Sequence, residues 1–369
     1  MRDWAGFVAG VQYNSNIVRC YAAYRERSLI PGAHLKQSII PNTLLTVLMA
    51  FCISSCHHST DPGPNPIQTT RVIVFTVGNK LCTMNTDGSD FQVVASSTPG
   101  SFLNWHACMS PDESKVVYQF ADTTYQQIFL FDRVTRRTIN ITGDNIFHEM
   151  PVFSPDGRTI VFVSAQGWLQ NMCSYELITA RITQLTHGLN CYDPSFSLDG
   201  SRIVFYLGNG LDSNGVAIID KNGTNFHFLG PGVNPALFPN GNKILFQSGV
   251  SAYDNGLFSM NTDGTNRTFF MLVPWQSSAS ISPDGSTITS EYFTGNRELV
   301  SINGDGTGFV NVTRDTSAEY CPMYLRDGRT IMYVMYDTTR TFFLDLMSSD
   351  GNNRRHIFQS NETIYLGVY

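Results

Sequence analysis

The sequence predicts an all-β fold built from a repeated four-stranded unit, and three observations carry that prediction. A Ser-Pro-Asp-Gly-like turn recurs six times at nearly constant spacing. A second hairpin, marked by Asp-Gly or its substitutes, follows each turn, and a seventh precedes the first. The composition suits short strands and tight turns: only 15% of the 369 residues are charged, and 30 are Gly, 16 Tyr and 25 Phe.

The turns read SPDE (110–113), SPDG (154–157), SLDG (197–200), FPNG (238–241), SPDG (282–285) and LRDG (325–328). Their second positions are spaced by 44, 43, 41, 44 and 43 residues. Pro presets φ, Asp or Asn closes the turn, and Gly takes the left-handed position. A short strand precedes each turn, as in Pro151-Val152-Phe153. A denser apolar strand follows, as in Ile160-Val161-Phe162, and suits a strand covered on both faces. A third strand (Ile128-Phe129-Leu130-Phe131) leads into the second hairpin, and a fourth (residues 182–186) closes the unit.

Six turns with seven second hairpins place strands two to four of a unit at 71–98 and a lone strand at 363–369. A ring closes by pairing a strand from one terminus into the unit begun at the other, which leaves no open edge. The expected fold is therefore a seven-bladed β-propeller of four-stranded antiparallel blades over 70–369, closed by the C-terminal strand. Six blades, with one degenerate unit outside the ring, is the alternative.

Ahead of the repeats, residues 43–55 (TLLTVLMAFCISS) form an uncharged apolar run of signal-peptide length, with Lys36 before it. Two serines precede Cys56, a pattern that resembles a bacterial lipobox. The resemblance implies a lipoprotein signal over 35–56, lipidation at Cys56, and outer-membrane placement, with His57 rather than Asp after the cysteine. A signal anchor or an ordinary secretory signal are the alternatives. Residues 57–69 are polar and Pro-rich and read as a tether. Residues 1–34 read as a gene-model extension.

The repeat resembles the TolB-type propeller repeats, a Ser-Pro-Asp-Gly subset of WD-like repeats, over residues 71–369. The resemblance implies the fold far more than a function. Propeller peptidases of the prolyl oligopeptidase type add a hydrolase domain, and no Gly-x-Ser-x-Gly elbow is present here. The whole chain has a net charge of −6, and removing residues 1–55 leaves −9, so nucleic acid is not an expected partner.

Loops from the fourth strand of one blade to the first of the next meet at one mouth of such a ring. Here they are expected to carry Trp105, His106, His148, Glu149, Tyr192, Asp193, Asn234, Trp275, Glu319 and Tyr320. Aromatics, carboxylates and amides on one rim suit a protein, peptide or glycan partner. The alternative is that these residues simply cap the channel and satisfy loop backbones. His106, His148 and His187 lie in three successive loops, which raises a metal-dependent polysaccharide lyase or hydrolase of the oligogalacturonate lyase type. Their unequal distances from their turns (five, seven and eleven residues) argue against a common depth. The Asp-Gly hairpins lack the Glu of an EF-hand loop, so turn chemistry accounts for them. Five cysteines follow residue 70, an odd number, so at least one is free. The resulting expectation is a non-catalytic, cofactor-free, lipid-anchored envelope propeller that binds an envelope protein, peptide or glycan, facing periplasm or cell surface.

Overall fold

The computed structural model describes residues 71–97, 102–121, 126–208, 214–249, 255–274, 277–339 and 341–367. Residues 1–34, the signal at 35–56 with Cys56, and the tether at 57–69 lie outside the described residues.

Seven four-stranded antiparallel sheets form the blades of a β-propeller. Strands are numbered β1 to β28 in chain order. Blade 1 is assembled from both ends: β28 (Ile364–Leu366), then β1 (Val72–Val77), β2 (Lys80–Asn85) and β3 (Gln92–Ser96). Blades 2 to 7 span residues 102–140, 147–184, 191–230, 233–273, 279–311 and 318–360. Phe75, Thr76 and Val77 pair with Leu366, Tyr365 and Ile364, so the C-terminal strand closes the ring.

Burial follows position within a blade. The second strand is covered on both faces; β1 is buried at every residue. The fourth strand is largely open; all four residues of Arg137–Asn140 are exposed. Blades pack face to face through apolar side chains. Cys108, Val117, Ile128 and Leu130 of blade 2 share one cluster with Phe153, Ile160, Phe162 and Cys173 of blade 3. Burying such side chains is the main favourable term of the fold, at about 25 cal/mol per Å² of apolar surface. None of the five described cysteines is joined in a disulfide.

The turn chemistry is as expected. Asp156, Asp199 and Asp284 accept from the Ser hydroxyl two residues earlier, at 2.6 Å each. In the second hairpins Asp87, Asp263 and Asp305 accept from the residue two positions on.

The first-to-second-strand turns also touch one another around the ring. A Cβ at Gly157 would meet Pro111, and one at Gly328 would meet Pro283. Blade 1 has no such turn, because its first two strands come from opposite ends of the chain. Two departures from the repeat fill that gap. Glu113, standing where Gly usually stands and held at φ 59°, accepts from the Val72 amide (3.1 Å) and from Arg71 (3.5 Å). Arg326, standing where Pro usually stands, donates to the Pro111 carbonyl 215 residues away.

A consensus-restoring substitution therefore has opposite signs at two sites. Arg326→Pro removes a bond from a charged donor, while the Nε and Nη2 groups of Arg326 have no partner, so the loss is about 1 kcal/mol. Leu198→Pro restores the same turn position away from the seam and is expected to be neutral or stabilising by about 0.5 kcal/mol. Paired thermal melts check the contrast; equal effects at both sites would remove the seam role of Arg326.

Candidate functional site

The innermost strand of each blade lines the centre of the ring. These strands are β4 (Phe102–Met109), β8 (Phe147–Phe153), β12 (Cys191–Phe196), β16 (Val233–Leu237), β20 (Ala279–Ile281), β24 (Ala318–Tyr324) and β28. Several are longer than the short apolar stretch before each turn suggests. His106, His148, Glu149, Tyr192, Asp193, Asn234, Glu319 and Tyr320 were expected in loops; the structure places all eight on β4, β8, β12, β16 and β24. Trp105 belongs to the backbone of β4, and Trp275 lies outside the described residues.

The correction has a physical cause. Each of the five strands carries a bulge, for instance between Glu149 and Val152 and between Tyr320 and Met323. The extra residue breaks the alternation that marks a strand. His106, Met150, Asp193, Asn234, Ser278 and Cys321 all stand five residues before the second turn position. Four of them, Met150, Asp193, Asn234 and Cys321, have φ between 50° and 56°. Each of those four is followed by Pro, which has no N–H to leave unpaired at a bulge.

The bulge frees a backbone N–H, and a polar side chain from the preceding blade meets it. Met150 N–H donates to Gln119 Oε1 at 3.0 Å, and Cys321 N–H donates to Glu291 Oε1 at 3.0 Å. Gln247 Nε2 donates to the Ser277 carbonyl at 2.7 Å. Gln119, Gln247 and Glu291 occupy one repeat position, eight residues after the second turn residue. Glu291 is fully buried and ion-paired with Arg297, whose guanidinium lies 5.1 Å from the Tyr320 ring centre. Tyr320 is thereby held at the wall. In blade 3 the equivalent residue is Val163, and Asp193 N–H meets Met150 Sδ instead at 3.2 Å.

Electrostatics divide the wall into sectors. Burial and the neighbouring Glu149 push Asp193 up to about 7. Burial also raises Glu149, against one hydrogen bond from Gln126. Burial and Glu149 raise the Tyr192 phenol to about 12, and its ring lies 5.8 Å from that of Tyr206. Glu149 and Asp193 have no ion pair among the described residues. Burial lowers His106 to about 4, so it is neutral at physiological pH, and its Nδ1 has no partner.

The three histidines are not brought together. His148 Nε2 is engaged by Asp144 at 2.8 Å, and its ring packs edge-on to Phe162. His187 is exposed in the connection before β12 and bonds Gln184. Among the described residues no group of three or more His, Cys, Asp or Glu is poised around one point.

Two equivalent pairs guard the mouth. Asp144–His148 in blade 3 and Asp315–Glu319 in blade 7 share spacing and distance from their turns. Glu319 is 1% exposed, and neither carboxyl oxygen finds a donor. Burial and the Asp315 carboxylate raise it to about 9, so the folded chain holds Glu319 protonated, donating to Asp315. Asp315 in turn is paired with Arg354 at 2.6 Å.

A pH dependence follows. Unfolded, Glu319 releases its proton near 4.5; folded, it holds it to about 9. Its stabilising contribution is complete below the lower value and lost as pH rises through the upper one. Asp193 acts in the same sense between 3.8 and about 7. Glu319→Gln keeps a donor toward Asp315 and removes the titration. Its Tm should fall between pH 5 and pH 9 by roughly 5 °C less than the wild type's. Identical slopes would mean that Glu319 is ionised in the folded chain.

On comparison with known proteins, residues 89–273 match the family described as the TolB beta propeller domain. No curated protein sequence matches the chain. Similar solved structures include TolB from Acinetobacter baumannii, at 20% identity and TM-score 0.50, covering 64% of this chain. This chain spans 61% of that TolB. A prolyl endopeptidase is similar at 14% identity and TM-score 0.61, covering 81% of this chain and 50% of its own. An oligogalacturonate lyase in complex with manganese is similar at 16% identity and TM-score 0.57, covering 78% of this chain and 85% of its own. At these identities the structural likenesses speak to fold alone. The matched span covers half of the chain and runs through the repeats described above, and the chain belongs to the TolB β-propeller family.

Proposed function

We propose that this chain is a non-catalytic binding module of the bacterial cell envelope that captures a protein partner at the channel mouth. The carrying observation is an asymmetry between the two faces of the ring. On the turn face, Asp side chains are consumed by their own turns. On the other face, Glu149, Tyr192, Asp193 and Tyr320 from blades 3, 4 and 7 converge on the channel wall, and two of the carboxylates have no counter-charge. Uncompensated charge beside aromatic rings is the surface on which a partner gains most by docking. Membership of the TolB propeller family supports the same reading, because such propellers serve as interaction modules. Lipidation at Cys56, with residues 57–69 as tether and 70–369 as the binding domain, would hold the module at the membrane.

Affinity capture from native envelopes tests the reading. Tyr192→Ala and Tyr320→Ala should each reduce recovery of the partner by about tenfold, a loss of roughly 1.4 kcal/mol. Asp substitutions at Val134 and Ile178, exposed on the turn-face hairpins, should leave recovery unchanged. Recovery that survives the mouth substitutions but fails at the hairpins would assign the blade sides instead. Recovery of a glycan or a free peptide would replace the protein partner. Cys56→Ala should release the protein from the membrane fraction; unchanged fractionation would remove the lipid anchor.

A further inference from the structure

The hairpin between β9 (Thr159–Gln166) and β10 (Leu169–Glu176) in blade 3 ends in Gly167-Trp168 on the mouth side of the ring. Trp168 is 87% exposed, more than any other large apolar side chain among the described residues. Leu169 beside it is 38% exposed. Phe147 on β8 is 50% exposed and pairs with Ala165, next to the hairpin end. Phe147 and Glu149 are two apart on one strand and share a face. On the other side, the Gln170 amide donates to Asn190 Oδ1 at 3.0 Å, and Asn190 leads directly into Cys191, Tyr192 and Asp193. An apolar ledge therefore stands beside the acidic sector of the channel wall, joined to it through Gln170 and Asn190.

We infer that this strip is the seat of a basic, apolar peptide segment of the partner protein, with a bulky side chain on Trp168 and Phe147 and a Lys or Arg between Glu149 and Asp193. The inference rests on the mouth reading above and names the chemistry of what the mouth takes. Charge complementarity selects the occupant. The sector presents two carboxylates and two tyrosines; neither carboxylate has an ion pair among the described residues, and His148 already serves Asp144. A cation from outside relieves the mutual repulsion of Glu149 and Asp193 that the chain itself leaves standing. An exposed indole next to such a pair has the composition of a binding hot spot, an aromatic anchor beside a charge that becomes desolvated on docking.

The test is selection of a random dodecapeptide library on the immobilised full chain, followed by binding measurements on the enriched peptides. Enriched sequences should combine Lys or Arg with Trp, Phe or Leu. Their Kd should rise about tenfold or more with Trp168→Ala, and likewise with Glu149→Gln/Asp193→Asn, and should rise with salt. Trp168 is exposed and the carboxylate replacements are isosteric, so single cooperative melting transitions, with the carboxylate variant at least as stable as the wild type at neutral pH, will show that all variants fold. Enriched peptides without a basic residue, binding indifferent to Trp168→Ala, or no enrichment over the double variant would each overturn the inference. Peptides weakened by Tyr320→Ala alone would remove this seat and leave the mouth reading standing. Peptides weakened by none of these substitutions would remove both.

Discussion

The ring depends on one constraint: a bulged inner strand leaves a backbone N–H without a ladder partner, and the neighbouring blade must supply one. A buried, unpaired amide costs about as much as a lost hydrogen bond, so the group cannot be ignored. Gln119 and Glu291 meet it across the blade interface, and Gln247 meets the adjoining carbonyl. Apolar packing between blades is non-directional and would tolerate some sliding. These bonds are directional, so they register each blade against the next. The price is polarity inside the sheet, offset in blade 6 by pairing Glu291 with Arg297.

The same bulges create the site. A regular strand would turn alternate side chains away from the channel. An inserted residue near φ 50° re-aims the chain, so Glu149 and Tyr192 on one side of the bulge and Asp193 within it belong to a single wall. Scaffold and site are thus two consequences of one backbone irregularity. The sector differs from blade to blade because the residues at and just before the bulge differ: Met150, Asp193, Asn234 and Cys321 share one backbone geometry with different chemistry, and Glu149, Tyr192 and Tyr320 precede three of them.

The blade count and ring closure were legible in the sequence because turn chemistry repeats: Pro, Asp and Gly each have a local reason to stand where they stand. The inner strands were legible only in part. Their apolar halves, such as Pro151-Val152-Phe153, could be read, but the bulge interrupts the alternation, and Glu149 or Asp193 then looks like a loop residue. A signal was present in the Pro that follows Met150, Asp193, Asn234 and Cys321. A second signal was the polar residue set in an apolar strand at Gln119, Gln247 and Glu291, whose role becomes visible only when the next blade is placed beside it. The correspondence between Asp144–His148 and Asp315–Glu319 joins residues far apart in sequence and needs the common turn register to be seen.

The seam in blade 1 has a mechanical consequence. The chain enters the ring at Arg71, on the turn face beside Glu113, and the mouth lies at the opposite end of the channel. Any pull transmitted through the residues ahead of Arg71 is therefore applied behind the ring, and the mouth points away from it. That pull loads β1 along its length, in shear against β2 and against the three paired residues of β28. Hydrogen bonds loaded in shear must fail together rather than one by one, so β1 is oriented to resist tension applied at Arg71.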